Sequence, residues 1–130
     1  VLLLVVDKQD CVVYKGQCFT VEWFYDSTGY SQAFEYFEST SQAQKRKFFV
    51  LVKRIAEFGK IMDITKFRNE GDEIYAFKPK PDRYLCFFIK GKKIIITNGF
   101  CKRTNKLPKN EKEKSMKAKE VYCTVNKEVE

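Results

Sequence analysis

Residues 83–108, R-Y-L-C-F-F-I-K-G-K-K-I-I-I-T-N-G-F-C-K-R-T-N-K-L-P, leave this chain little freedom in how it folds. Two apolar runs, residues 84–89 and 94–97, flank the short basic turn Lys90-Gly91-Lys92-Lys93. Runs of four to eight β-branched and aromatic residues around a glycine-containing turn predict a β-hairpin. The second run ends in Asn98-Gly99-Phe100, followed by Lys102 and Arg103. The hairpin therefore delivers a cluster of cations to one end of a sheet. Rigid strands hold such cations in fixed positions against a polyanion, an arrangement suited to phosphate chemistry.

The rest of the chain supplies partners for that hairpin. Residues 1–6 and 11–14 are short apolar runs, read as a small hairpin or as added strands at a sheet edge. Residues 1–18 are set apart as an N-terminal extension, and residues 19–130 as the main domain. Residues 19–25 alternate as a strand does, with Phe19, Val21 and Trp23 on one face. Asp26-Ser27-Thr28-Gly29 reads as a turn. Ser31 is a candidate N-cap for a short helix with Ala33, Phe34 and Phe37 on its apolar side. Ser41 with Gln44 fits a capping box for a second helix, along which Phe48, Leu51, Val52, Ile55 and Phe58 recur at helical spacing before Gly59. Residues 61–72 read as a polar connection and 73–78 as a strand, which Pro79 and Pro81 end. Pro108 opens a last helix with Ala118, Val121, Tyr122 and Val125 spaced to pack on the sheet. The order strand, helix, helix, three strands, helix predicts one α+β domain with an antiparallel C-terminal half.

Charge placement narrows the function. Residues 1–65 hold eight Lys/Arg and eight Asp/Glu, whereas residues 66–130 hold 17 and nine, so the second half carries the whole net charge of +8. Between Ile74 and Lys119 there are 14 cations and three acids. One-sided charge of this kind is the electrostatic footprint of a nucleic-acid binder, set against the plainer reading of a solvated basic surface. The chain has no histidine, which excludes Ser-His and Cys-His nucleophiles and leaves Lys, Arg, Tyr, Cys, Asp or Glu for proton transfer. Five cysteines without a C-x-x-C suggest neither a disulfide framework nor a zinc site, and thiols fit a reducing cytoplasm. Cys86, inside an apolar strand, reads as a small hydrophobe. The opening apolar run is too short for a membrane span and lacks the basic start and cleavage site of a signal peptide.

Taken in order, several stretches resemble the RelE/ParE superfamily of type II toxins, in particular its phage-derived and HigB-like branch. F-T-V-E-W-F-Y-D and S-Q-A-F-E-Y-F resemble the family's first strand and first helix, and R-I-A-E-F-G the end of its second helix. I-Y-A-F-K stands in place of an L-Y-E-L-R-like strand. R-Y-L-C-F-F resembles Y-R-I-L-Y-F, and N-G-F-C-K-R-T-N-K-L-P resembles H-G-F-x-K-K-T-x-x-x-P. The likeness covers residues 19–122. It implies a cytoplasmic toxin that cleaves mRNA in the ribosomal A site without a metal or other cofactor. It also implies silencing by a cognate antitoxin, expected to be a helix-turn-helix protein.

Carried over by position, the resemblance places Arg83 on the scissile phosphate and makes Lys78 the basic residue closing the preceding strand. Lys102 and Arg103 become the basic pair after Gly-Phe. Lys66, Arg68 and Lys80 are cations placed to bind RNA backbone. Tyr75 is a candidate for stacking on a base, weighed against packing in the core, as is Tyr122. Tyr84 and Phe100 read as core. The sequence departs from the pattern where relatives carry Glu and His: here stand Ala76 and Asn98, and residues 104–110 hold neither Tyr nor His. A lysine crowded by other cations, Lys78 beside Arg83 or Lys102 beside Arg103, is then the candidate base. Two alternatives share the fold: a ParE-like gyrase inhibitor without enzymatic activity, and an RNA-binding module that has lost catalysis.

Overall fold

The computed structural model describes residues 11–102 and 106–129. Nine elements follow one another: β1 (Val12–Lys15), β2 (Thr20–Trp23), α1 (Gln32–Ser39), α2 (Gln42–Phe58), β3 (Phe67–Gly71), β4 (Ile74–Phe77), β5 (Asp82–Ile89), β6 (Lys93–Cys101) and α3 (Lys109–Val129). The fold is α+β, as expected. The strands form a single sheet in the order β1-β2-β6-β5-β4-β3. All neighbours run antiparallel except β2 and β6, which are parallel, so the sheet is mixed. The expected hairpin is the central pair β5–β6, and its turn holds Gly91 and Lys92 at positive φ. Residues 1–6, read as a further strand, lie outside the described residues. β1 falls within the stretch set apart as an extension and adds an edge strand against β2.

Local chemistry explains the helices. The Ser31 hydroxyl accepts from the Phe34 amide at the start of α1. At the start of α2, Ser41 and Gln44 complete a reciprocal capping box, and Gly59 closes the helix in the left-handed conformation. Both helices cover one face of the sheet. There Phe48 lies stacked on Trp23 and against Tyr84, with ring centroids 5.6 and 4.3 Å apart. Phe37, Leu51, Val52 and Ile55 fill the same core. Helix α3 covers the opposite face, over Ile74, Ala76, Leu85, Phe87 and Ile95.

Three expectations are corrected. First, residues 61–72 contain the strand β3, missed because only Phe67 among its residues is buried. An edge strand needs backbone pairing, here with β4, and not an alternating apolar face. β6 runs through Asn98, Gly99 and Phe100 to Cys101, as the hairpin reading expects. A side chain in the β2-side position completes the ladder there: the Gln32 amide donates to the Gly99 carbonyl (2.8 Å) and accepts from its N–H (2.7 Å). Second, Phe58 is 76% exposed. The last turn of α2 docks instead through Ala56, whose carbonyl accepts from the amides of Cys18 and Phe19. A Cβ on Gly16 would lie 2.5 Å from that peptide, which accounts for the glycine. Third, Val121 and Val125 face solvent. Polar contacts set the rotation of α3: the Asn98 amide donates to the Glu111 carbonyl and carboxylate (3.1 and 2.8 Å), and Thr97 Oγ1 lies 2.6 Å from Ser115 Oγ. The stripe continuing from Glu111 and Ser115 brings Tyr122 to the sheet, against Phe87.

Among the described residues no helix is long and apolar enough to cross a membrane.

Candidate nucleic-acid interface

The strand register lines up the basic side chains on the α3 face. Arg68, Ala76, Leu85 and Asn98 form one row across β3, β4, β5 and β6. One step beyond the Phe77–Tyr84 pair, Lys78 and Arg83 follow on the same face. Lys102 is held level with them because its amide donates to the Pro81 carbonyl (3.0 Å), extending the β5–β6 ladder by one rung. The connection from β4 to β5 is fixed by its own backbone: Lys80 N–H donates to Lys78 O and Asp82 N–H to Pro79 O.

These side chains open into one cavity of about 440 Å³ between the end of the sheet and the start of α3. Arg68, Lys78, Arg83 and Lys102 line it from the sheet, and Lys106, Lys109 and Lys112 from α3 and its lead-in. Glu70 is the one acid among the lining residues. Lys112 pairs with Asp72 at 2.8 Å, tying α3 to the β3–β4 turn.

Arg83 is buried, 8% exposed, yet among the described residues no carboxylate forms an ion pair with it. Its Nη1 donates to the Asp82 carbonyl at 3.0 Å. Burial pushes the guanidinium below its ordinary value, while Glu70 and Asp82 oppose the shift. Burial likewise lowers the ammonium of Lys78; Glu70 opposes this, and Arg83, Arg68 and Lys102 add to it. Lys102 is lowered by burial and then by Arg83. A set of desolvated cations that weaken one another gains most from an anion placed between them.

Below Arg83 lies a buried support. The Asp82 carboxylate, fully buried, accepts from the Tyr36 hydroxyl and from Gln44 Nε2, at 3.1 Å to each oxygen. Gln44 is also the capping-box residue of α2, so α1, α2 and β5 meet at this carboxylate. Burial and the neighbouring Asp82 raise the Tyr36 hydroxyl well above the usual tyrosine value.

The candidate residues fall into three places. Arg83, Lys78, Lys102 and Arg68 share the cavity. Lys66 and Lys80 line a separate groove of about 360 Å³ on the α2 side, with Lys47, Arg54, Val50 and Pro79. The β4–β5 loop divides the two, sending Lys78 one way and Lys80 the other. Tyr75 lies on the helical-hairpin face, stacked on Phe67 at 5.6 Å and edge-on to Phe88 at 4.9 Å. Arg103 lies outside the described residues. Tyr84 is core, and Tyr122 packs under α3, where burial pushes its hydroxyl up to about 12. Asn98, where the resemblance expects a histidine, is spent on docking α3. Among the described residues no group of three or more Cys, Asp or Glu is placed to hold a metal ion.

Sequence reasoning missed Glu70 and the α3 lysines. Nothing in the polar 61–72 stretch marks Glu70 as facing the hairpin, although the density of lysines after Pro108 was a signal for the others.

The chain is a small α+β domain with a mixed sheet and a cation-lined cavity at the rim of its central hairpin. The family follows from the sequence: residues 35–120 match the model of the phage-derived protein Gp49-like family (DUF891), and the chain belongs to it. That is a family of RelE-like and toxin-like proteins, and membership is consistent with the toxin of a toxin–antitoxin system. No curated protein matches the chain.

Proposed function

We propose that this protein is an endoribonuclease toxin of a type II toxin–antitoxin pair, of the HigB-like kind, cutting mRNA on the ribosome. The observation that carries the reading is the convergence of Arg83, Lys78 and Lys102 on one cavity, in a chain of this family. In such a cleavage the RNA 2′-oxygen attacks the adjacent phosphorus, the P–O5′ bond breaks, and a 2′,3′-cyclic phosphate and a 5′-hydroxyl result. Negative charge gathers on the phosphoryl oxygens in the transition state. Arg83, held by Asp82 and β5, meets that charge with a planar fork of donors. Lys78 and Lys102 flank it, and an ammonium of lowered pKa is a better proton donor to the departing 5′-oxygen than an ordinary lysine. No step runs through a metal. Lys66, Arg68 and Lys80 bind flanking backbone, the first and last in the second groove. The family implies an antitoxin as partner.

The test is expression of the wild type and Arg83→Ala in cells, with mapping of mRNA ends. Loss of one positioned donor costs about 10²–10³ in rate. A wild type that neither slows growth nor cuts ribosome-bound mRNA refutes the proposal. Ala76 and Asn98 favour a second reading, binding without cleavage, because neither supplies a proton-transfer group. Salt-dependent RNA affinity with intact RNA would establish it.

A further inference from the structure

The cavity holds one group whose chemistry differs from all its neighbours, the carboxylate of Glu70. Its place is unusual. The β3–β4 register shifts between Asn69 and Gly71, so Glu70 is the extra residue of a β-bulge. A bulge re-aims the side chain it carries, and bulges concentrate beside functional sites. This one is built locally: Asn69 Oδ1 accepts from the Gly71 amide at 2.8 Å, and Gly71 takes φ 92°, open to glycine. Asp72 and Glu73 then make the reversal at φ 57° and 64°. Their carboxylates are tied to α3, Asp72 to Lys112 and Glu73 to Lys119, which fixes the hairpin tip against the helix. Glu70 itself is half-buried, and among the described residues no ion pair commits it to one lysine or arginine. It is close enough to Lys78, Arg83 and Lys102 to act on the charge of all three.

We propose that Glu70 is the catalytic base, taking the proton of the RNA 2′-hydroxyl as the 2′-oxygen bonds to phosphorus. The inference rests on the nuclease reading above and supplies what it lacks. A carboxylate oxygen has electron pairs to accept a proton and an ammonium has none, so Glu70 offers the acceptor that the lysines do not. Lys78 is also occupied as a donor, its Nζ facing the Ile64 carbonyl at 3.2 Å. The proton passes from the 2′-oxygen to the Glu70 carboxylate, the 2′-O–P bond forms, and the 5′-oxygen leaves with a proton from a neighbouring ammonium. The carboxylate thus comes from β3, one strand out from Ala76, the position where the resemblance expects Glu. Arg68, two residues before it, and the α3 lysines Lys109 and Lys112 face the same space, so the base sits within reach of the phosphate that they attract.

The experiment compares wild type, Glu70→Gln, Glu70→Asp and Arg83→Ala as full chains. Cleavage of ribosome-bound mRNA is measured beside the affinity for a 2′-deoxy-substituted RNA oligonucleotide that cannot be cut. The expected result is a 10²–10⁴-fold loss of cleavage in Glu70→Gln, on the order general bases contribute. Affinity should be equal or tighter, since a negative charge has been removed from the phosphate site, and Glu70→Asp should recover part of the rate. Cleavage by Glu70→Gln within about threefold of wild type, with Arg83→Ala inactive, would overturn the base assignment and leave the nuclease standing. Loss of affinity together with cleavage in Glu70→Gln would show a merely structural role and overturn it too. A wild type without cleavage overturns both readings.

Discussion

Replacing Asp82 tests the support under Arg83 directly. The carboxylate is fully buried and accepts one hydrogen bond from Tyr36 and a forked one from Gln44. A hydrogen bond to a charged group contributes about 1.5–3 kcal/mol, and a donor left without its partner in the interior adds a further penalty. Both donors are half-buried, so water recovers part of the loss in the variant. The expected cost of Asp82→Ala is therefore about 2–4 kcal/mol, and of Asp82→Asn, which keeps an acceptor for Tyr36, about 1–2 kcal/mol. For a domain of this size each kcal/mol moves Tm by about 3–5 °C, so Asp82→Ala should melt about 6–20 °C lower. Urea unfolding followed by the fluorescence of the single tryptophan, Trp23, reads the loss, because Trp23 is buried against Phe48 in the same core. Tyr36→Phe combined with Asp82→Ala should cost less than the sum of the two single changes. A loss below about 0.5 kcal/mol for Asp82→Ala, the size of an ordinary surface change, would refute the reasoning.

Gly99→Ala should destabilise by about 1–3 kcal/mol through overpacking: a Cβ there would lie 2.8 Å from Tyr84 Cε1 and 3.0 Å from Tyr36 Cδ2, and the Tyr84 ring is fixed against Phe48. An unchanged urea midpoint would show that the ring can move. Alkaline stability follows from Tyr36, whose folded-state value is raised by burial and Asp82. Its contribution is complete below the unfolded value of about 10 and is lost as pH rises through the folded one, so stability should fall above about pH 10, less steeply in Tyr36→Phe. For the 2′-deoxy oligonucleotide, Lys78→Ala and Lys102→Ala should each flatten the slope of log affinity against log salt by about 0.7; a slope equal to wild type would take that lysine off the phosphate track.

What the sequence made legible was what local chemistry decides. The hairpin turn, both N-caps and the Gly59 terminus are written in residues within four positions of one another, and each forms as read. Features settled by distant partners were not legible. β3 exists because β4 offers a free edge, and nothing in the sequence assigns Gln32, 67 residues away, to complete the ladder at the end of β6. The face of α3 follows from Asn98 and Ser115 instead of from the valines, whose helical spacing fits a stripe displaced from the one that packs. The candidate cations divided in the same way. Strand alternation could place Lys78 and Arg83 on one face, but only the fold of the prolyl loop sends Lys80 to the other side, and only a bulge brings in Glu70.

Two polar residues of the central strands, Asp82 and Asn98, are both consumed in holding the cavity in shape. Asp82 joins α1, α2 and the start of β5. Asn98 joins β6 to the first turn of α3. Between these two anchors stand Arg83 and Lys102, desolvated and mutually repelling, an arrangement that costs stability in the absence of an anion. Only a scaffold fixed on both sides keeps such groups together instead of letting them swing into solvent, and the clamps lie on the strands that carry them. Asn98 is committed to α3 and Ala76 is apolar, so neither side chain can transfer a proton. On the proposed reading, chemistry in this cavity falls to its cations and to the carboxylate that the β3 bulge presents. The same economy links the two halves of the proposal: the cations draw a phosphate in, and the one acid among them distinguishes a site that can cleave RNA from one that only holds it.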